Sequence, residues 1–84
     1  MLQAEIHITL KKAVSDPQGS TIKHALDSLN YKEVGEVRVG KLITIKLNLR
    51  SKKDAEKELD QMCKKLLANP IIEDYSFQIK EDTI

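Results

Sequence analysis

Few residues of this 84-residue chain could perform nucleophilic chemistry: one cysteine, Cys63, and two histidines, His7 and His24. A catalytic nucleophile needs a base held beside it and a third group that orients the base. Cys63 falls on the apolar side of a predicted helix, and neither histidine shares a motif with it. We therefore interpret Cys63 as a packing residue and predict no catalytic residue.

Metal binding has little more support. One cysteine and two scattered histidines lack the closely spaced ligand pairs of structural zinc sites. Glu73 and Asp74 are adjacent carboxylates, but adjacent residues of a strand point to opposite faces of the sheet. The sequence therefore predicts no metal site.

The segment SDPQGST, residues 15–21, raises the question of a phosphate-binding loop. It has one glycine rather than a nucleotide-binding fingerprint, and Asp16 would repel an anion. Asp16 followed by Pro17 is instead typical of a helix start, where the carboxylate accepts from an early backbone N–H and proline occupies the first helical position. We interpret the segment as a capped helix entry.

The elements that must position these residues follow from hydrophobic periodicity. Period-two alternation predicts four strands, within residues 3–14, 33–40, 41–49 and 71–79. Helical spacing predicts helices over residues 16–29 and 51–69. Gly40-Lys41 predicts a hairpin or sharp bend between the two middle strands. The predicted apolar stripes are Ile22, Ala25, Leu26 and Leu29 on the first helix, and Ala55, Leu59, Met62, Cys63, Leu66 and Leu67 on the second.

The order of these elements predicts an α+β fold in a single domain, residues 1–84. Two helices on one face of a four-stranded, mostly antiparallel sheet make a two-layer sandwich of the ferredoxin-like β-α-β-β-α-β type. Each sheet edge is also a pairing site for a second chain, so strands can be shared between subunits. A chain of this length buries a modest core, which favours self-association.

Composition weakens other classes of function. Lys and Arg total 14 against 13 Asp and Glu, a formal charge of +1, whereas nucleic-acid binders depend on a basic face. The chain has two tyrosines and one phenylalanine, too few to predict a base-stacking sheet. No apolar run is long enough to cross a membrane, and a single cysteine favours a reducing cytoplasm. We expect a cytoplasmic protein that binds neither nucleic acid nor membrane.

Three segments carry a resemblance to a known family: SDPQG at 15–19, VRVGK at 37–41 and MCKKLLANPIIEDY at 62–75. In this order and at these intervals they closely resemble PurS, the small subunit of formylglycinamidine ribonucleotide (FGAM) synthetase. The resemblance spans nearly the whole chain, although Asn30 stands where the family usually has a glycine. It implies a non-catalytic accessory subunit in de novo purine biosynthesis.

The resemblance also implies partners. A PurL-like synthetase subunit uses ATP and Mg, a PurQ-like glutaminase subunit releases ammonia from glutamine, and the small subunit bridges them so that ammonia is not lost to solvent. The family subunit binds no cofactor itself and associates as a dimer or tetramer. The residues expected to contact partners are Arg38, Lys41, Asn69, Glu73 and Asp74. A structural interpretation stays open beside this one, with Asn69-Pro70 as a helix stop and Arg38 as a solvated strand residue.

A second hypothesis also stays open. A stand-alone regulatory module of ferredoxin-like shape would bind an amino acid or a nucleotide at a subunit interface.

Overall fold

The computed structural model describes residues 1–81, so the last three residues of the predicted domain lie outside the described part. The described residues form one antiparallel three-stranded sheet in the order β2-β1-β3. Its strands are β1 (Leu2–Leu10), β2 (Gly40–Leu47) and β3 (Glu73–Glu81). Two helices, α1 (Pro17–Ser28) and α2 (Lys52–Met62), complete the fold, and α2 runs into a π-helical turn at Cys63–Leu67. The predicted α+β, ferredoxin-like class is confirmed.

The core lies between α2 and one face of β1. Alternate residues of β1 point inward, and Ile6 and Ile8 are fully buried together with Leu59 and Cys63 of the opposing helix. Burial raises the pKa of the Cys63 thiol, as expected for a packing residue.

One polar contact joins α2 to β3 beside this core. The hydroxyl of Tyr75 donates to a carboxylate oxygen of Asp60 at 2.6 Å. This bond, followed by the contact with Lys64, holds the pKa of Asp60 below its ordinary value. Tyr75 and Phe77 pack against the core on the same strand face.

The π-helical turn changes which side chains of the second helix are buried. The amide of Ala68 donates to the carbonyl of Cys63 at 3.0 Å, a bond that spans five residues instead of four. The extra residue rotates the side chains that follow, so Ala68 is buried and Leu66 is 82% exposed. The prediction that Leu66 belongs to the buried stripe is wrong for this reason.

The second predicted strand is absent from the described sheet. Residues 31–39 carry no strand, and β2 begins directly at Gly40, which pairs with Thr9 of β1, so no hairpin forms at Gly40-Lys41. The amide of Val39 donates to the Asp16 carboxylate at 2.6 Å rather than to a neighbouring strand. A side chain from the β1–α1 connection therefore takes the hydrogen bond that a fourth strand would have used.

The same carboxylate caps α1. Its other oxygen accepts from the amide of Gly19 at 2.9 Å, with Pro17 at the start of the helix, so the predicted capped entry is confirmed. We call Asp16, bonded to the amides of Gly19 and Val39, the Asp16 clasp. The clasp joins the chain that enters α1 to the chain that returns from it.

Beyond the clasp, α1 has little contact with the rest of the fold. Of its residues Gly19 alone is buried, and Ile22 and Leu29 of the predicted apolar stripe are exposed. The Cα radius of gyration is 16.5 Å and the longest axis is 49 Å. A compact chain of this length has a radius of about 12 Å, and a nine-residue strand spans about 30 Å. The chain is therefore elongated, and the segment 17–39, which we call the α1 arm, adds little to its core.

Two glycines of the chain provide a matched test of the packing at the clasp. A Cβ at Gly19 would lie far inside contact with the carbonyl oxygen of Val37, whereas a Cβ at Gly35 would meet open space. We expect Gly19→Ala to lower the free energy of unfolding by about 1–3 kcal/mol. Gly35→Ala should change it by less than about 1 kcal/mol. Urea unfolding of both variants measures this, and equal effects would contradict the close approach at Gly19.

The clasp also predicts a pH dependence. Hydrogen bonds from the amides of Val39 and Gly19 hold the pKa of Asp16 below its ordinary value of 3.8. Because the folded pKa is the lower one, the ionised carboxylate stabilises the fold above pH 3.8, and this contribution is lost as the pH falls through the folded pKa. We expect Asp16→Asn to lower stability at neutral pH and to differ less from the wild type at about pH 2.5. Urea midpoints at both pH values test this, and a difference independent of pH would contradict it.

Candidate partner-binding surface

All five predicted contact residues come together at one end of the sheet, where β1 ends and both neighbouring strands begin. Lys41 of β2 pairs with Ile8 of β1, and Glu73 of β3 pairs with Leu10. We call this region the charged end, defined by Lys11, Arg38, Lys41, Asn69, Glu73 and Asp74. Residues from three separate stretches of sequence, around positions 11, 38–41 and 69–74, therefore share one surface.

On the helix-covered face, an ion pair crosses β1. The Nζ of Lys41 lies 3.5 Å from one carboxylate oxygen of Glu73, although the two residues belong to opposite edge strands. The other oxygen of Glu73 accepts from the amide of Asn69 at 2.7 Å. The Glu73 side chain is only 11% exposed, whereas that of Lys41 is 64% exposed. Glu73 is thus held from two sides and positions the Lys41 ammonium.

The opposite face carries a second ion pair. The Nζ of Lys11 donates to a carboxylate oxygen of Asp74 at 3.0 Å, and both side chains are exposed. The amide of Lys11 also donates to the carbonyl of Ile72, which fixes the chain just beyond β1. Glu73 and Asp74 therefore point to opposite faces, as predicted, and each has its own lysine.

Asn69 organises the turn that leads into β3. Its backbone carbonyl accepts from the amides of Ile72 and Glu73, at 3.1 and 2.7 Å. Its side-chain oxygen accepts from the amide of Ile71 at 3.1 Å. The helix has ended at Leu67, so Asn69 has the structural role that the helix-stop interpretation gave it, while its contact with a partner stays a prediction.

Arg38 links the α1 arm to the charged end. Its Nη2 donates to the backbone carbonyls of Lys11 and Val14, each at 3.0 Å. Its Nε lies 3.8 Å from the Glu36 carboxylate. The interpretation of Arg38 as a solvated strand residue is therefore wrong, because its guanidinium fastens the returning chain to the β1–α1 connection.

Sequence reasoning missed Lys11 and the role of Asp16 as a shared acceptor. Lys11 and Asp74 are 63 positions apart, and no local motif joins them. Placing the first and last strands side by side and antiparallel would have brought both to one sheet end.

Sequence reasoning also missed a cavity of about 370 Å³ at this end. It is lined by Ile8, Leu10, Asp16, Gln18, Val39, Gly40, Lys41 and Glu73.

The charged end carries one ion pair on each face of the sheet, Lys41–Glu73 and Lys11–Asp74. Its contact with a partner protein stays a prediction. Within residues 1–81 we find no group of three or more His, Cys, Asp or Glu side chains that could hold a metal ion. No helix among the same residues is long and apolar enough to span a membrane.

Comparison with known proteins identifies the family. A family model described as PurS, phosphoribosylformylglycinamidine (FGAM) synthase, matches residues 3–81. The PurS subunit of phosphoribosylformylglycinamidine synthase from Bacillus subtilis (strain 168) is 42% identical over 81 residues, covering 96% of the chain and 95% of the relative.

Solved structures agree with this match. PurS from Methanocaldococcus jannaschii, a subunit of formylglycinamide ribonucleotide amidotransferase in the purine biosynthetic pathway, superposes with a TM-score of 0.89 at 40% identity, over 99% of the chain and 100% of that protein. The structure of PurLQS from Thermotoga maritima superposes with a TM-score of 0.83 at 27% identity, over 95% of the chain and 99% of the matched chain. The chain therefore belongs to the PurS family, the small subunits of phosphoribosylformylglycinamidine synthase in purine biosynthesis.

Proposed function

We propose that this chain is the accessory subunit that bridges the ATP-dependent synthetase and the glutaminase of FGAM synthase, so that ammonia passes between them without loss to solvent. Family membership supports the assignment to this enzyme. The related Thermotoga maritima structure is one of PurLQS, which supports PurL-like and PurQ-like partners for this chain. In this proposal ATP, Mg and glutamine are bound and used by the partner subunits, and the complex works in the cytoplasm.

The observation that carries the proposal is the charged end. It presents Lys41 on one face and Asp74 on the other, both well exposed. Glu73 pairs with Lys41 and accepts a hydrogen bond from the backbone amide of Asn69. A surface with charges fixed on two faces suits contact with two different proteins. Arg38 fixes the β1–α1 connection beside these charges through its hydrogen bonds to the carbonyls of Lys11 and Val14.

A reconstituted enzyme tests the bridge. Synthetase and glutaminase without this chain should lose glutamine-dependent formation of FGAM but keep turnover with free ammonia at high concentration. The reason is that a bridge affects only the delivery of ammonia. Steady-state rates with each nitrogen source measure this, and adding the chain back should restore the rate with glutamine. Loss of ammonia-dependent turnover in its absence would overturn the proposal and indicate a catalytic contribution.

The charged end can be tested with two matched double variants. Lys41→Gln with Asp74→Asn removes one cation and one anion there, and Lys80→Gln with Glu5→Gln does the same elsewhere on the sheet. Lys41 and Lys80 are each 64% exposed and each pairs with a glutamate, at 3.5 and 3.4 Å. Pairs between exposed charges contribute about 0–1 kcal/mol to stability. Because Glu73 is only 11% exposed and loses its lysine in the charged-end variant, circular dichroism checks that both variants fold before their affinities are compared.

We expect the charged-end variant to bind the synthetase–glutaminase pair at least about tenfold more weakly, and the control variant to bind within about twofold of the wild type. Surface plasmon resonance with the immobilised chain measures both affinities. Equal affinities of the two variants would show that partners do not bind at the charged end.

The cavity at the charged end favours the second candidate, a regulatory module that binds a small metabolite. Its volume of about 370 Å³ lies within the range of small-ligand sites, and Lys41 and Glu73 line it. Calorimetry of the isolated chain with glutamine, ATP and the substrate ribonucleotide distinguishes the candidates. Saturable binding favours the module, whereas no binding together with co-elution of both partner subunits favours the bridge.

A further inference from the structure

Two adjacent isoleucines at the charged end are exposed to water. Ile71 is 81% exposed, Ile72 is exposed as well, and neither is among the residues that form the hydrophobic core or pack against it. Both lie in the turn between α2 and β3, residues 69–73, which we call the Ile71 turn. A single exposed isoleucine is common on protein surfaces. This pair differs in having a fixed backbone and charged side chains beside it.

The backbone of the Ile71 turn is held by its own hydrogen bonds. The amides of Ile72 and Glu73 both donate to the carbonyl of Asn69. The amide of Ile71 donates to the side-chain oxygen of Asn69, and the amide of Asn69 donates to the Glu73 carboxylate. Every backbone N–H group in the turn therefore has an acceptor.

Two further features restrain the same turn. Pro70 has no N–H group and a fixed φ, which limits the conformations open to the chain on either side of it. The amide of Lys11 donates to the carbonyl of Ile72 at 2.9 Å, which ties the turn to the end of β1. Because the turn is ordered in advance, Ile71 loses little backbone freedom when a partner covers it.

The charges beside the turn lack an apolar centre of their own. Glu73 belongs to the turn and pairs with Lys41, and Asp74 follows the turn and pairs with Lys11. Charged groups at an interface set its specificity and its rate of association, whereas most of the affinity comes from a few well-packed side chains at the centre. Ile71 supplies such a side chain between the two ion pairs.

We propose that Ile71 anchors this chain to the synthetase by entering an apolar pocket of that subunit, with the charged end around it as the polar rim. This role rests on the proposed function, which gives the chain a synthetase partner. There the synthetase consumes the ammonia, so the chain serves it throughout the cycle, and lasting interfaces are more apolar than transient ones. The glutaminase and a second copy of this chain are the competing acceptors of Ile71, and the experiment separates them.

Binary affinities of three variants test the anchor. Ile71→Ala removes most of the side chain and leaves the backbone bonds of the turn, whereas Ile71→Leu keeps the apolar volume. Leu42→Ala is the matched control, because Leu42 is 59% exposed and lies in β2 rather than in the turn. Surface plasmon resonance measures the affinity of each variant for the isolated synthetase and for the isolated glutaminase, with urea unfolding as the check on folding.

We expect Ile71→Ala to bind the synthetase about ten- to a hundredfold more weakly, the factor that burial of an isoleucine side chain contributes. Ile71→Leu and Leu42→Ala should stay within about threefold of the wild type, and all three variants should bind the glutaminase within about twofold.

Several results would overturn the anchor and leave the bridge standing. They are equal effects of Ile71→Ala and Leu42→Ala, a loss toward the glutaminase as large as that toward the synthetase, and a weakening of self-association in place of synthetase binding. Sedimentation of the isolated chain measures the last of these. A wild-type chain that binds neither subunit would overturn the proposed function together with the anchor.

The salt dependence of binding separates an apolar anchor from a turn that acts only by positioning charges. Salt screens contacts between exposed charges and does not screen the burial of an apolar side chain. We expect the loss caused by Ile71→Ala to agree within about twofold at about 50 and about 500 mM NaCl, whereas the loss in the Lys41→Gln, Asp74→Asn variant should shrink at the higher concentration. A loss for Ile71→Ala that shrinks in parallel with that of the charge variant would overturn the anchor.

Discussion

The structure depends on one carboxylate that has two backbone donors from distant parts of the chain. Asp16 caps α1 through Gly19 and, with its second oxygen, accepts from Val39, where the chain returns to the sheet. Because a backbone amide bonded to a carboxylate cannot also serve a strand ladder, the clasp keeps the amide of Val39 out of the sheet. The clasp thereby ties the start of α1 to the residue that directly precedes β2.

The charged end is connected to the same clasp. Arg38 fastens the returning chain to the carbonyl of Lys11, whose side chain pairs with Asp74. Asp16 and Val39 of the clasp line the same cavity as Lys41 and Glu73. The base of the α1 arm and the charged end therefore adjoin each other. The fold thus holds charged side chains at fixed positions in a chain that belongs to a family of synthase subunits.

Local patterns predicted most of the fold. Alternation in β1 and the cap at Asp16 were sufficient to predict a strand and a helix start, because both depend on neighbouring residues. The exposure of Leu66 was not predictable, since the π-helical turn at Cys63 shifts the helical period without a sequence signal. The bond from Asp16 to Val39 was missed because its partners are 23 positions apart. The same limit applied to the ion pairs of the charged end.

The most direct test of this account is the titration of the Asp16 carboxyl carbon by NMR, with the amide protons of Gly19 and Val39 followed in the same samples. The clasp predicts a midpoint below the ordinary value of 3.8, and both amide resonances should shift with that midpoint as they lose a charged acceptor. A carboxyl that titrates at 3.8 or above, or a Val39 amide that does not respond, would contradict the account.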